Sequence, residues 1–283
     1  VNIIPPEIHP KTHKQVVKLT RLGSVSFLNA KPLTYPIEKG LVNHDFELVL
    51  TPPAELSVML HRKEIDLGLI PVAEFIKRGT YCAVPDISIS SVGRVDSVIL
   101  LTGGTLADIK TVAVDRRSQS STALLKIVLE IFNNVSPSYI PREPDENFLR
   151  GVDAGMIIGD TGLETAYNPP DGYGVYDLGE IWTNETGLPF VYAVFAVNEG
   201  VKLGKNLEAL AKSKACGTGM IGEIAEHESK RLGLDEDICN VYLSERIKYD
   251  LGEKEIEGII RYSELLSELG LCEKIPGVRI YNQ

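Results

Sequence analysis

Apolar residues in this chain cluster in short β-rich runs, and most of those runs empty into a polar turn and then a stretch with helical spacing. The first run covers 21–25 and leads through a small polar turn at 26–31 to Pro32. Proline presets the first turn of a helix, here expected to reach about residue 38, because it loses nothing where the amide is unpaired anyway. A second unit joins the β-rich run 46–50 to a helix ending near residue 62, with Thr51 as its expected N-cap. A third joins the apolar run 65–70, closed by Pro71, to a helix over 72–77. Three such units in about sixty residues predict a parallel sheet with crossover helices, whose strand C-terminal ends converge on one edge where ligands usually sit.

Further along, 87–92 and 93–102 read as adjoining strands, and Gly103-Gly104 marks a break into a second lobe. A strand is predicted at 111–115, a hydroxyl-rich turn at 116–122 and a helix with one buried face at 123–132. A strand at 138–140, a short helix at 145–150 and a strand at 154–159 follow. Asp160 and Thr161 are expected to cap a helix reaching about residue 167. Strands are predicted at 174–179 and 190–197, separated by 180–189, and the last returns to the first lobe. From residue 203 the pattern is helical, with 204–232, 235–246 and 253–269 as candidates whose charges read as solvated faces. The expected fold class is α/β, with an N-terminal arm at 1–18, lobe 1 formed by 19–102 and 198–283, and lobe 2 by 103–197. Two lobes joined by crossing strands near 96–104 and 190–197 are the organisation of periplasmic-binding-protein-like domains. Such domains close over a small molecule in the interlobe cleft and remove it from water.

Composition narrows the ligand. The 283 residues, 43% hydrophobic and 24% charged, suit a globular protein of two ordinary domains or one large one. No apolar run approaches the roughly 18 residues needed to span a bilayer, so no membrane partner is expected. A net charge of −10, with no Lys/Arg cluster to relieve it, speaks against nucleic acid. Cys82, Cys216, Cys239 and Cys272 contain no C-x-x-C pair, and the five histidines complete no ligand cluster, so free cysteines and no metal are expected. The arm carries Pro5, Pro6 and Pro10 and does not read as a secretory signal; His9, His13, His61 and His227 read as surface residues.

The polar turns are the candidate chemistry. A strand emptying into a helix start presents free N–H groups and the positive end of a dipole, which suits an anion. In the opening turn Ser26 and Asn29 add donors while Phe27 and Leu28 anchor it in the core. Ser118, Ser120, Ser121 and Thr122 repeat this logic, and Asp160 with Thr161 forms a third polar turn. Hydroxyls are also ordinary capping residues, so capping and anion binding both stand on local sequence. Lys31, Arg94 and Arg116 are the candidate cationic partners; Arg116 and Arg117 diverge as neighbours, so at most one faces the site.

Six segments occur in the order seen in the chorismate dehydratase family, which the chain resembles over about residues 20–270. They are Ser24-Val-Ser-Phe-Leu-Asn-Ala-Lys-Pro-Leu33, Asp66-Leu-Gly-Leu-Ile-Pro71, Gly93-Arg-Val-Asp-Ser-Val98, Ile158-Gly-Asp-Thr-Gly-Leu163, Asp177-Leu-Gly-Glu-Ile-Trp182 and Thr186-Gly-Leu-Pro-Phe190. The resemblance implies a type II periplasmic-binding-protein-like fold, a cytoplasmic location and no metal or organic cofactor. It implies removal of water from chorismate, a small dianion, to give 3-[(1-carboxyvinyl)oxy]benzoate on the futalosine route to menaquinone. It also carries the family's asparagine and serine onto Asn29 and Ser97. Asn29 is the first candidate for hydrogen bonding near the reacting centre and Ser97 the second; Asp160 reads as a helix cap rather than a general base. Two alternatives share the fold: a non-catalytic solute-binding protein for a small carboxylate, and 1,4-dihydroxy-6-naphthoate synthase. The Ser-Pro-Cys-Pro-Asn-type opening of the latter is replaced here by Phe27-Leu-Asn-Ala30.

Overall fold

The computed structural model describes residues 19–115, 118–145 and 147–282; the expected arm, with His9 and His13, and the Arg116-Arg117 pair lie outside these. The chain opens with β1 (Thr20–Ser24), a 3-10 turn at Leu28–Ala30, α1 (Lys31–Glu38), β2 (Phe46–Leu50), α2 (Pro53–His61), β3 (Leu67–Pro71), α3 (Val72–Arg78) and β4 (Cys82–Ser91). It continues through β5 (Val98–Thr102), β6 (Thr111–Asp115), α4 (Gln119–Lys126) running on as a π-helical segment Ile127–Phe132, β7 (Ser138–Arg142), β8 (Ala154–Ile158), α5 (Gly159–Tyr167), β9 (Gly174–Asp177) and α6 (Leu178–Thr186). It ends with β10 (Phe190–Val197), α7 (Lys205–Gly219), α8 (Ile221–Leu232), α9 (Glu236–Val241) running into a π-helical turn Tyr242–Arg246, and α10 (Glu253–Glu268).

Two mixed five-stranded sheets result, ordered β2-β1-β3-β10-β4 and β7-β6-β8-β5-β9. The three opening βα units give parallel strands, as their spacing predicts. The sheet is not wholly parallel, however, because β10 pairs antiparallel with β3 and β4, Ala193 lying opposite Pro71 and Phe190 opposite Ser91. A chain returning from the second sheet arrives at the ligand edge and must run away from it. The outgoing crossing does the same: β5 starts beside the end of β8, with Val98 opposite Ile158. The ends of β1, β3, β4, β6, β8 and β9 therefore gather with the starts of β5 and β10.

Several local expectations give way. Thr51 is not the cap of α2, whose N-cap position is Pro52; the threonine hydroxyl instead donates to Glu55 at 2.6 Å. Residues 147–150, within the expected helix at 145–150, form a turn. Helix α6 occupies most of the segment read as a connection: Asp177 caps it by accepting from the Glu180 amide, and Gly187 ends it at φ 70°. The long helix expected at 204–232 breaks at Met220 into α7 and α8. Among the described residues no helix is long and apolar enough to cross a membrane, and the four cysteines are free.

Packing fixes the opening turn from behind. A Cβ on Gly217 of α7 would lie 1.9 Å from the Pro32 carbonyl oxygen, so only glycine lets α7 approach α1 this closely. Ser213, a turn earlier, donates to the Leu33 carbonyl at 2.7 Å. Leu22, Leu28 and Leu33 are buried beneath.

Candidate functional site

The opening turn and the start of α5 meet across the two sheets. Phe27 enters the 3-10 turn in extended geometry, its ring packed on Gly159, where an added Cβ would come within 3.2 Å of the ring. The Leu28 amide donates to Asp160 Oδ1 at 3.0 Å. This corrects the reading of Asp160 as a cap: the N-cap position of α5 is Ile158, with no side-chain cap, and the carboxylate reaches the other lobe instead. It also takes up one amide that the sequence reserves for an anion. Thr161, beside it, is exposed.

Burial pushes the Asp160 carboxyl above the ordinary aspartate range, while the Leu28 amide, Arg231 and Lys31 pull it down and Glu228 pushes it up. The folded protein thus holds this proton more tightly than the unfolded chain does. Its stabilising effect is complete below the ordinary aspartate range and is lost as pH rises through the elevated folded value. Asp160→Asn, which keeps an oxygen for the Leu28 amide but never ionises, is expected to flatten that fall of stability over the pH interval just above the ordinary aspartate range. Thermal unfolding of both proteins across the interval checks this; identical slopes would place the titration elsewhere.

Around the turn, several charges are already engaged. Lys31 is buried and its ammonium sits 2.9 Å from Glu38, on its own helix. Ser26 has an exposed side chain, and its carbonyl accepts from Arg231 at 3.0 Å. Arg231 in turn pairs with the buried Glu228, which also accepts from His227 at 3.0 Å. His61 and His227 are both exposed, and the His227 ring also meets Tyr35 edge-on.

The facing wall is the start of β5. Ser97 is buried, and its carbonyl accepts from the Gly159 amide at 2.8 Å. The preceding Asp96 holds φ at 60°, a left-handed backbone that aspartate tolerates better than most residues. Its neighbours over-determine that conformation. The buried Asp177 carboxylate accepts from the Asp96 amide at 2.7 Å and from the Val95 amide at 3.0 Å. The Asp96 carboxylate, 1% exposed, is held by Arg94 at 2.7 Å and by Arg246 at 2.7 Å. Arg94 is therefore tied to Asp96, with the rest of its side chain about half exposed.

Asn29 and Ser97 come together on a residue that sequence reasoning passes over. Tyr242 donates to Ser97 Oγ at 2.8 Å, and the Asn29 side chain lies close enough to the same phenol to favour its ionised form. Burial raises the Tyr242 pKa, so the hydroxyl keeps its proton at neutral pH. Tyrosine at helical spacing reads as core, and the charges of the C-terminal helices read as solvent-facing, so neither Tyr242 nor Arg246 stands out in the sequence. The Gly93-Arg-Val-Asp-Ser-Val98 segment is the one local pointer to this wall.

Ser118, Ser120, Ser121 and Thr122 lie on the first turn of α4 at the same edge, one strand beyond β8. Ser118 makes no side-chain cap, Thr122 donates to the Ser118 carbonyl at 2.8 Å, and Tyr262 of α10 donates to the Ser120 carbonyl at 3.1 Å. Arg116 falls outside the described residues.

The arrangement of two mixed sheets recurs in known folds. The alkanesulfonate-binding protein SsuA from Xanthomonas axonopodis pv. citri superposes with a TM-score of 0.67 at 16% identity, over 90% of this chain and 94% of that one. The fold is that of type II periplasmic binding proteins. In sequence, the chain is 31% identical over 261 residues to a chorismate dehydratase of Thermus thermophilus, covering 87% of this chain and 94% of that protein. It is 26% identical over 255 residues to a chorismate dehydratase of Campylobacter jejuni, covering 88% and 99%. Residues 20–268, which include both walls of the site and the Tyr242 turn between them, match the family described as Menaquinone biosynthesis, and the chain belongs to that family.

Proposed function

We propose that the protein is a chorismate dehydratase, a hydro-lyase that converts chorismate to 3-[(1-carboxyvinyl)oxy]benzoate and water in the cytoplasm. The observation that carries this reading is the convergence of Asn29, from the opening turn, and Ser97, from the crossing strand, on one buried phenol. In the reaction the ring C–H bond beside the ether oxygen breaks, its electrons form the new ring double bond, and the neighbouring C–O bond breaks. The proton and hydroxide leave together as water, so atoms and charge balance. Because the product ring is aromatic, the protein need only orient the substrate, assist proton transfer and stabilise charge on the departing oxygen. The substrate's own side-chain carboxylate takes the ring proton and passes it to the departing hydroxyl oxygen, and Asn29 and Ser97 hydrogen bond near the reacting centre. With the Leu28 amide held by Asp160, the first turn of α4, rich in hydroxyls, is the better seat for one substrate carboxylate.

Incubating the purified protein with chorismate and following the aromatic enol ether tests the proposal. Accumulation of product with loss of chorismate supports it. Chorismate binding without turnover would favour a solute-binding protein.

A further inference from the structure

Tyr242 is 1% exposed and opens the π-helical turn Tyr242–Arg246 that follows α9. Such turns are rare and recur at functional sites, since a π turn re-aims side chains that a regular α-helix would direct elsewhere. Here one turn grips two consecutive residues of the facing wall: Tyr242 reaches Ser97 Oγ at 2.8 Å and Arg246 Nε reaches Asp96 Oδ2 at 2.7 Å. Asn29 also acts on this phenol, so one oxygen sits between the turn that follows β1 of the first sheet and the segment that leads into β5 of the second.

The direction of the Tyr242–Ser97 bond carries the inference. A serine hydroxyl has one hydrogen; when its oxygen accepts from Tyr242, that hydrogen is free to be given to something else. The geometry points to Tyr242 as a positioning residue for the proposed dehydration, one that sets Ser97 as a donor and holds the Asn29 amide beside it, both toward the departing ring oxygen. No bond to Tyr242 is made or broken. The assignment rests on the dehydratase reading and adds to it the reason why an asparagine and a serine beside different sheets act as one unit.

Tyr242→Phe keeps the ring and removes only the hydroxyl. It is expected to lower kcat for chorismate by about 10–100-fold, the scale of a small misplacement of catalytic groups, with KM within about twofold. The side-chain amide NMR signals of Asn29 should shift in this variant without substrate, a readout of the hydrogen bond that does not depend on turnover. Tyr249→Phe is the control for losing a buried tyrosine hydroxyl, since the Tyr249 oxygen is buried with no hydrogen-bond partner among the described residues; it should retain wild-type kcat. A wild type that turns over chorismate, with Tyr242→Phe equally active or the Asn29 signals unmoved, overturns the role of Tyr242 alone. A wild type inert toward chorismate overturns the dehydratase reading and this assignment with it.

Discussion

Asn29→Ala is expected to lower kcat for chorismate by about 10²–10³-fold, the cost of losing one preorganised donor at a reacting centre. The fold should survive, because the backbone of the opening turn does not depend on this side chain. The Ala30 amide bonds the Phe27 carbonyl at 3.0 Å, the Leu28 amide is held by Asp160, and α1 is clamped by α7 at Gly217. The contact with the Tyr242 phenol is lost, worth about 1 kcal/mol net. Asn29→Asp separates polarity from charge: it keeps an oxygen but adds a second carboxylate near Asp160 and repels a dianionic substrate, so KM should rise as well as kcat fall. Steady-state kinetics on both variants, with unfolding midpoints measured alongside, checks this. An Asn29→Ala protein of full activity would remove Asn29 from the mechanism.

Much of the frame behind that prediction is visible in the linear sequence, because apolar runs that empty into polar turns are a local pattern. The βα units at 21–38, 46–62 and 65–77 could be read for this reason, as could the gathering of their polar turns on one edge. Strand direction is not local. Whether β10 runs with or against β3 depends on where the chain comes back from the second sheet, and the mixed sheets follow from that return. Side-chain pairing over long separations is equally invisible. Lys31 could have faced a ligand, but Glu38 lies two helical turns along and takes its charge. Asp160 could have capped its helix, but an amide 132 residues away is better placed. Tyr242 is separated from Ser97 by 145 residues, and its helix carries no motif, only a tyrosine where core tyrosines are ordinary. Chemistry that is local in sequence was therefore legible, while the groups that orient it were not.

Trp182→Ala is expected to cost about 3–5 kcal/mol of stability, a large share of the roughly 5–15 kcal/mol that holds a domain of ordinary size together. The side chain is fully buried, with its ring edge-on to Phe190 at 5.1 Å and to Tyr262 at 5.9 Å. Its indole N–H donates to the Pro189 carbonyl at 3.2 Å. Alanine leaves a cavity among rings that belong to different elements, α6, β10 and α10, and these cannot all collapse into it. Trp182→Phe retains most of the apolar contact but orphans the Pro189 carbonyl, so a smaller loss of about 1–3 kcal/mol is expected. The position of the cluster adds a second consequence. Trp182 follows β9 of the second sheet on α6, whereas Phe190 begins β10 of the first, and Tyr262 ties α10 to the Ser120 carbonyl of α4. Emptying the centre of this junction weakens the coupling between the sheets more than either sheet's own core. Denaturant unfolding of Trp182→Ala, followed by circular dichroism because the chain's single tryptophan is gone, should therefore show a lower midpoint and a broader or split transition. A loss below about 1 kcal/mol with an unchanged slope would mean that the three elements repack around alanine and that the junction is not where the two sheets are held together.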